Sequence, residues 1–329
     1  VSEAQALIND GRGWSQGDKH SAYDKLPGDV LIDALSSWSP IVRERAATAL
    51  ARNKGMAVEP IMALLDSPSL NTRLGACQAL AQFKAKAAPA VPKLRAMLKA
   101  EDMWLRVKAA DALAAIGDAA KPAIPEMLDI LIRKPGPEDP RAMEQRYFSF
   151  ALFGRFLSRS IEGVDREKLL TAVRAVLLNE DGRARGSVLK IYPQLSEAEL
   201  KSLMPDINRS VVEPSPSGIM FSDGSRLEGL KLMAEHKMEA GIDACVYYLT
   251  HQNHWASEKR TPPLLAILRG YGVHAQRTIP TLEKLAADFD AGIPSNFPKH
   301  LSKKKAGYVR DTIKLLKETT DKPVLKKFE

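Results

Sequence analysis

The chain has 329 residues, 45% of them apolar and 27% charged, a balance that excludes a disordered polar chain. Its net charge of +8 is concentrated at one end: Lys299 to Glu329 holds ten Lys/Arg and four Asp/Glu, a balance of +6, which leaves +2 for residues 1–298. A basic groove running the length of the chain is thereby disfavoured, and no apolar run approaches the ~18 residues of a membrane span.

Residues 1–27 read as a polar leading segment, and a first residue of valine reads as a processed or excised piece of a longer chain. Val30-Leu31 and Ala34-Leu35 then predict a short helix. Ser39 is placed to cap the next helix, with Pro40 at its first position, where a missing N–H costs little. That helix is expected to end near Arg52. Its text, Val42-Arg43, Ala46-Ala47, Ala49-Leu50, recurs as Thr72-Arg73, Ala76-Cys77, Ala79-Leu80. It recurs again as Leu105-Arg106, Ala109-Ala110, Ala112-Leu113, closing on Ile116-Gly117. The arginines are 30 and then 33 residues apart, a period that belongs to stacked two-helix units. Ser69 and Asp102 stand in register with Ser39 as caps, and Pro89-Ala90-Val91-Pro92 and Pro122-Ala123-Ile124-Pro125 open successive units.

Beyond a Pro/Gly break at Lys134 to Pro140, an aromatic-rich helix is predicted from Arg141 to about Ser160. A further pair follows at Asp165 to Leu178 and Gly182 to Tyr192, with Asp181 as cap and Arg185 at the repeat spacing. Two long loops are expected, one around Glu213 to Gly218 and one from Asn253 to Pro263, separated by helices at Arg226–Lys237 and Ile242–His251. The repeat text returns at Gly272 to Ala287, and a lysine-rich helix at Ser302 to Thr319 reads as the cap of the stack.

The pattern P-A-[VI]-P, a helix, then R-x-x-A-A-x-A-L-x-x-[IL]-G resembles HEAT repeats of the short bacterial, lyase-like type, most clearly over residues 28–135. The resemblance implies an all-α fold: a right-handed α-α superhelix, a HEAT-like solenoid of about seven helix pairs with irregular central loops. Within a single solenoid over 28–329, residues 28–135 are the regular repeats, 136–271 the divergent ones, and 272–329 the last repeat with a basic capping helix. The lyase-like label brings no catalytic residue that maps onto this chain. The stretches Ile161 to Arg166, Asp181 to Gly186, Val212 to Gly218 and Asn253 to Pro262 are also similar to the C-terminal helical-repeat region of large bacterial multi-domain proteins of uncharacterised role. That likeness implies a module of a longer, exported (periplasmic or extracellular) protein, with a cytoplasmic one as the alternative.

Candidate chemistry is sparse. Gly13-Trp14-Ser15-Gln16-Gly17 spells the nucleophile-elbow letters but lacks the preceding strand that strains such a serine outward. His251 and His254, with Glu258 beyond, have a metal-like spacing without a third ligand in register, so no metal or other cofactor is assigned. Cys77 stands where the other repeats have alanine and reads as a small core residue; Cys245 is the second cysteine. The repeat arginines Arg43, Arg73 and Arg106 read as bridges to acidic or carbonyl groups of adjacent repeats. The candidate binding surface comprises three groups. On the aromatic helix, Tyr147 is placed to stack and Arg155 and Arg159 to grip an anion. Around the irregular middle stand Arg183, Arg185 and Arg226. The two loops add Phe221, Asp223, His254, Trp255, Lys259 and Arg260.

The function these features suggest is a non-catalytic interaction or scaffold module that binds a protein or an anionic ligand through its inner face and loops. Its partner would be another protein or an upstream domain of the same polypeptide, with an anionic glycan as an alternative and nucleic acid disfavoured. Two other readings stand beside it. One is a HEAT-like enzyme domain acting on DNA, of the glycosylase type, for which Trp104, Trp255, Asp223 and Arg185 supply the residue types. The other is structural support for an upstream catalytic domain.

Overall fold

The structure, a computed structural model, describes residues 22–53, 55–215, 222–253, 256–293 and 298–328. Among these the secondary structure is helical, apart from one isolated parallel bridge between Met238 and Lys326. The chain divides into two compact units. The first takes the described residues of Val1–Asp139 together with Tyr147–Leu169, and the second takes Pro140–Arg146 and those of Leu170–Glu329.

The first unit is built from pairs: α1 (Gly28–Ala34) with α2 (Pro40–Arg52), α3 (Glu59–Ala63) with α4 (Leu70–Phe83), α5 (Val91–Met97) with α6 (Met103–Ile116), and then α7 (Ile124–Ile132). The longer helices stack on one another, α2 on α4 and α4 on α6. Their shared face is the repeated text itself. Ala46, Ala47 and Leu50, then Ala76, Cys77 and Leu80, then Ala109, Ala110 and Leu113 are all buried. Small side chains on that stripe let the helices approach closely, and each helix buries a stripe that it cannot bury alone. The approach is tightest at Gly75, where a Cβ would lie 2.0 Å from the Leu35 carbonyl oxygen.

The caps fall where the spacing places them, with one difference. Asp102 accepts from the Leu105 N–H at 2.8 Å and Ser69 from the Thr72 N–H at 3.4 Å. Ser39 makes no side-chain cap bond; Pro40 follows it, and its own N–H donates to Ser37 Oγ. The repeat arginines act mainly inside their own unit. Arg43 Nη1 donates to the carbonyls of Ser37 (2.6 Å) and Trp38 (3.1 Å), and Arg106 Nη1 to those of Ala100 (2.6 Å) and Glu101 (2.7 Å). Arg43 and Arg106 thus tie down the turns that lead into their own helices, whereas Arg73 makes no such bond and its Nε is buried without an acceptor among the described residues. Arg43 also reaches the next repeat, at Asn71 Oδ1 and Gln78 Oε1.

The aromatic helix is α8 (Met143–Ala151), which passes into a wider π turn at Leu152–Phe156. Phe148 and Phe153 are fully buried, so half of its phenylalanines are core. After α9 (Arg166–Leu177), the second unit departs from the expected elements in three places. The segment expected as one helix from Gly182 is a single turn, α10 (Gly182–Arg185), followed by 3-10 turns, because Gly186 and Pro193 both weaken a continuous helix. The sequence reading passes over α11 (Glu197–Val212), although Ser196 and Glu199 form a full capping box at its start. The third departure follows α12 (Asp223–Glu235) and α13 (Ala240–His251). The loop expected from Asn253 to Pro263 is short, because α14 (Ser257–Arg269) begins at Ser257 and carries Pro262 and Pro263 inside it.

The last repeat, α15 (Ile279–Asp290), packs against α16 (Lys299–Glu318), the expected terminal helix. Its lysines do not all face outward. Lys305 is 2% exposed, donates to Ser257 Oγ at 3.0 Å and lies 3.9 Å from the Phe289 ring centre. Beyond α16 the chain runs back in extended form. Val273 N donates to the Asp321 carbonyl, and Lys326 bridges Lys237 and Glu239, each at 2.8 Å.

Candidate functional site

Within the first unit, a groove of about 780 Å³ opens where α6 ends and the π turn passes. Four cations line it, Lys84, Lys121, Arg155 and Arg159, against two acids, Asp118 and Glu162. Lys121 is paired with Asp118 at 3.2 Å, and Arg155 reaches Asp111 outside the groove. Arg159 and Lys84 are exposed.

The backbone beneath explains how Lys84 comes to stand there. Gly117 ends α6 at φ 81°, ψ −136°, and Lys84 ends α4 at φ 52°, ψ −134°. The two positions are 33 residues apart, as Arg73 and Arg106 are, so Lys84 occupies the glycine of the repeat. That conformation suits glycine and strains a residue with a Cβ. The first unit therefore holds a lysine in a strained turn at the rim of a cation-rich groove.

In the second unit Asp181 is 0% exposed and binds two arginines. Arg183 reaches it through Nε (3.1 Å) and Nη2 (3.0 Å), and Arg146 through Nη1 at 3.2 Å. Burial pushes its pKa up, but the Arg183 hydrogen bonds and the charges of both arginines outweigh that and hold it below the usual carboxylate range. Asp223, at the start of α12, accepts from Tyr248 Oη and from Asn253 Nδ2 at 3.1 Å, and is ion-paired with Arg260 Nη1 at 2.7 Å. Arg260 also donates to the Asn253 carbonyl at 2.7 Å and to Gln252 Oε1 at 3.3 Å.

Of the residues singled out in the sequence, the groove brings together Arg155 and Arg159. Tyr147 packs edge-on against Trp104, ring centres 5.3 Å apart. Arg183 belongs to Asp181, and Asp223 and Arg260 to each other. Arg185 is not free in the irregular middle: it is 3% exposed and performs the repeat arginine's task. Its Nε donates to the Asn179 carbonyl at 3.1 Å, and its Nη1 to the carbonyls of Ser210 (3.3 Å) and Glu213 (2.9 Å) at the end of α11. Burial, and then the nearby Arg226, push its pKa down to about 10. Arg226 is 1% exposed, its guanidinium carbon 5.2 Å from the Tyr248 ring centre. Lys259 is exposed on the first turn of α14. Phe221, His254 and Trp255 lie outside the described residues, as does Gly13 to Gly17. His251 stacks on Tyr247 at 4.2 Å, and burial pushes the thiols of Cys77 and Cys245 up to about 12. The sequence reading missed Lys84 and Lys121. Lysine in the repeat's glycine register was the available signal for Lys84.

Stacked helix pairs and a buried small-residue stripe, with arginine clamps at the turns before α2 and α6, define an all-α repeat protein of the HEAT-like solenoid class. Residues 28–91 match the family model of HEAT repeats. Comparison with curated proteins gives no match. Two solved structures of engineered proteins, both Northeast Structural Genomics Consortium targets, are similar at 17% identity. One has a TM-score of 0.29 and covers 87% of this chain and 88% of that one. The other has a TM-score of 0.21 and covers 87% and 96%. Among the described residues, no helix is long and apolar enough to cross a membrane.

Proposed function

We propose that this chain is a protein-interaction module whose first unit takes an acidic segment of a partner into the groove beside Arg155 and Arg159. The observation that carries this reading is the groove's charge, four cations against two acids, with Lys84 kept there at the expense of a strained turn. HEAT repeats support a protein-interaction or scaffold role in general. The first unit also exposes Trp38 (81%) and Trp104, each beside the N-terminal cap of a repeat helix, and exposed tryptophan beside arginine is the chemistry of protein interfaces.

The test is fluorescence anisotropy with a labelled Asp/Glu-rich peptide, at low and high salt. The wild type is expected to bind, with Lys84→Ala and Arg159→Ala each weakening binding by about 3-fold, the scale of one rim charge. Absence of binding, or binding that both variants leave untouched, overturns the reading. Preference for a sulfated glycan over the peptide moves the partner class to glycans. A steep salt-dependent affinity for duplex DNA restores the nucleic-acid alternative.

A further inference from the structure

The second unit contains a cation that the fold does not satisfy. Arg226 lies in the first turn of α12, and a side chain there leans back toward the helix N-terminus. Its Nε, Nη1 and Nη2 are all buried and none has a hydrogen-bond acceptor among the described residues. By contrast, the buried Arg43 and Arg185 both end on backbone carbonyls. The face of Tyr248 offsets part of the charge but supplies no lone pair in the guanidinium plane. Asp223 is near enough to be felt, yet it is already shared by Tyr248, Asn253 and Arg260. Arg185 adds a second buried cation within electrostatic reach. The N-terminal end of a helix is itself positive, so a buried cation there is adverse unless an anion joins it.

We propose that Arg226, with Arg185 beside it, forms an oxyanion site at the N-terminal turn of α12 that takes a single carboxylate or phosphate group. A guanidinium presents its donors in a planar fork, which matches two oxygens of such a group. This site is independent of the groove in the first unit.

The test is a thermal-shift titration of the whole chain with sodium phosphate and with sodium acetate, each against sodium chloride at equal ionic strength. Phosphate or acetate is expected to raise the wild-type melting temperature by about 3 °C beyond chloride at saturation. Arg226→Met is expected to lose that increment, while Arg159→Ala in the groove keeps it. In chloride alone Arg226→Met should melt no lower than the wild type, since it removes an unsatisfied buried charge. Arg226→Lys, which keeps the charge without the fork, should bind at least about tenfold more weakly by calorimetry. It serves as the informative variant if the methionine protein does not fold. A response to phosphate alone assigns a phosphate ligand, and one to acetate alone a carboxylate. No response beyond chloride, or an undiminished response in both Arg226 variants, overturns the site.

Discussion

The two units handle buried arginine differently. In the first, the repeat brings two of its three guanidiniums to the carbonyls of their own turns, Arg43 at Ser37 and Trp38 and Arg106 at Ala100 and Glu101, while Arg73 makes no such bond among the described residues. Four further cations line its groove. In the second unit only Arg185 keeps that arrangement. There the helices are irregular, and single acids take over: the buried Asp181 for Arg146 and Arg183, and the half-buried Asp223 for Arg260. A repeat can copy one solution to the desolvation of a cation, as at Arg43 and Arg106. A divergent region must solve it at each place with a particular side chain, and at Arg226 the described residues supply no acceptor.

That contrast can be broken most sharply at Asp181. Asp181→Asn is expected to cost about 3 kcal/mol, because two arginines then share a neutral acceptor in a buried place. Urea denaturation followed by circular dichroism measures it. The pH dependence has a definite sign. The Asp181 carboxyl is held below its unfolded value, so its contribution is present above the unfolded pKa and is lost as pH falls through the folded one. The asparagine variant should therefore lose less stability than the wild type in acid.

The next effect belongs to Lys305. Burial first, and then Arg260, lower its pKa to about 8 from 10.5, against the opposing pull of Glu258. Between those values the unfolded chain binds the extra proton, so stability should rise with pH over that window, by about 2 kcal/mol. Lys305→Met should flatten the rise in a series of melts from pH 7 to pH 10.5.

Arg43→Met and Arg185→Met provide the direct comparison. Each leaves buried carbonyls without a donor, and each is expected to cost about 2 kcal/mol in denaturant titrations. Similar costs would mean that the clamp survives in the divergent unit, whereas a neutral Arg185→Met would mean that the second unit has abandoned it. The smallest effect concerns the glycine register. Lys84→Gly should raise stability by about 1 kcal/mol by relieving the turn, and Gly117→Ala should lower it by a similar amount, both read as shifts of the denaturation midpoint.

Much of the first unit was legible because its signal is periodic. The small-residue stripe, the proline-opened helices and the caps at Ser69 and Asp102 all follow from spacing. The second unit hid α11 and the start of α14, where prolines lie inside both helices, at Pro205 and at Pro262-Pro263, against their usual place in a helix. Tertiary packing tolerates those prolines, and a capping box at Ser196 and Glu199 marked one of the helices all the same. The candidate site was legible only as residue types. Arg155 and Arg159 were marked by their place on an aromatic helix, whereas Arg185 carried the repeat's cap-to-arginine spacing after Asp181, the local sign of its buried place.

The sequence by itself determined the repeat and with it the all-α architecture, because an amphipathic helix with a recurring stripe of small residues has no way to bury that stripe except against its neighbour. Only the tertiary structure decided which cations are satisfied and which remain available. The acceptors are carbonyl oxygens at turns and helix ends, every residue carries one, and folding alone selects which of them a guanidinium can reach.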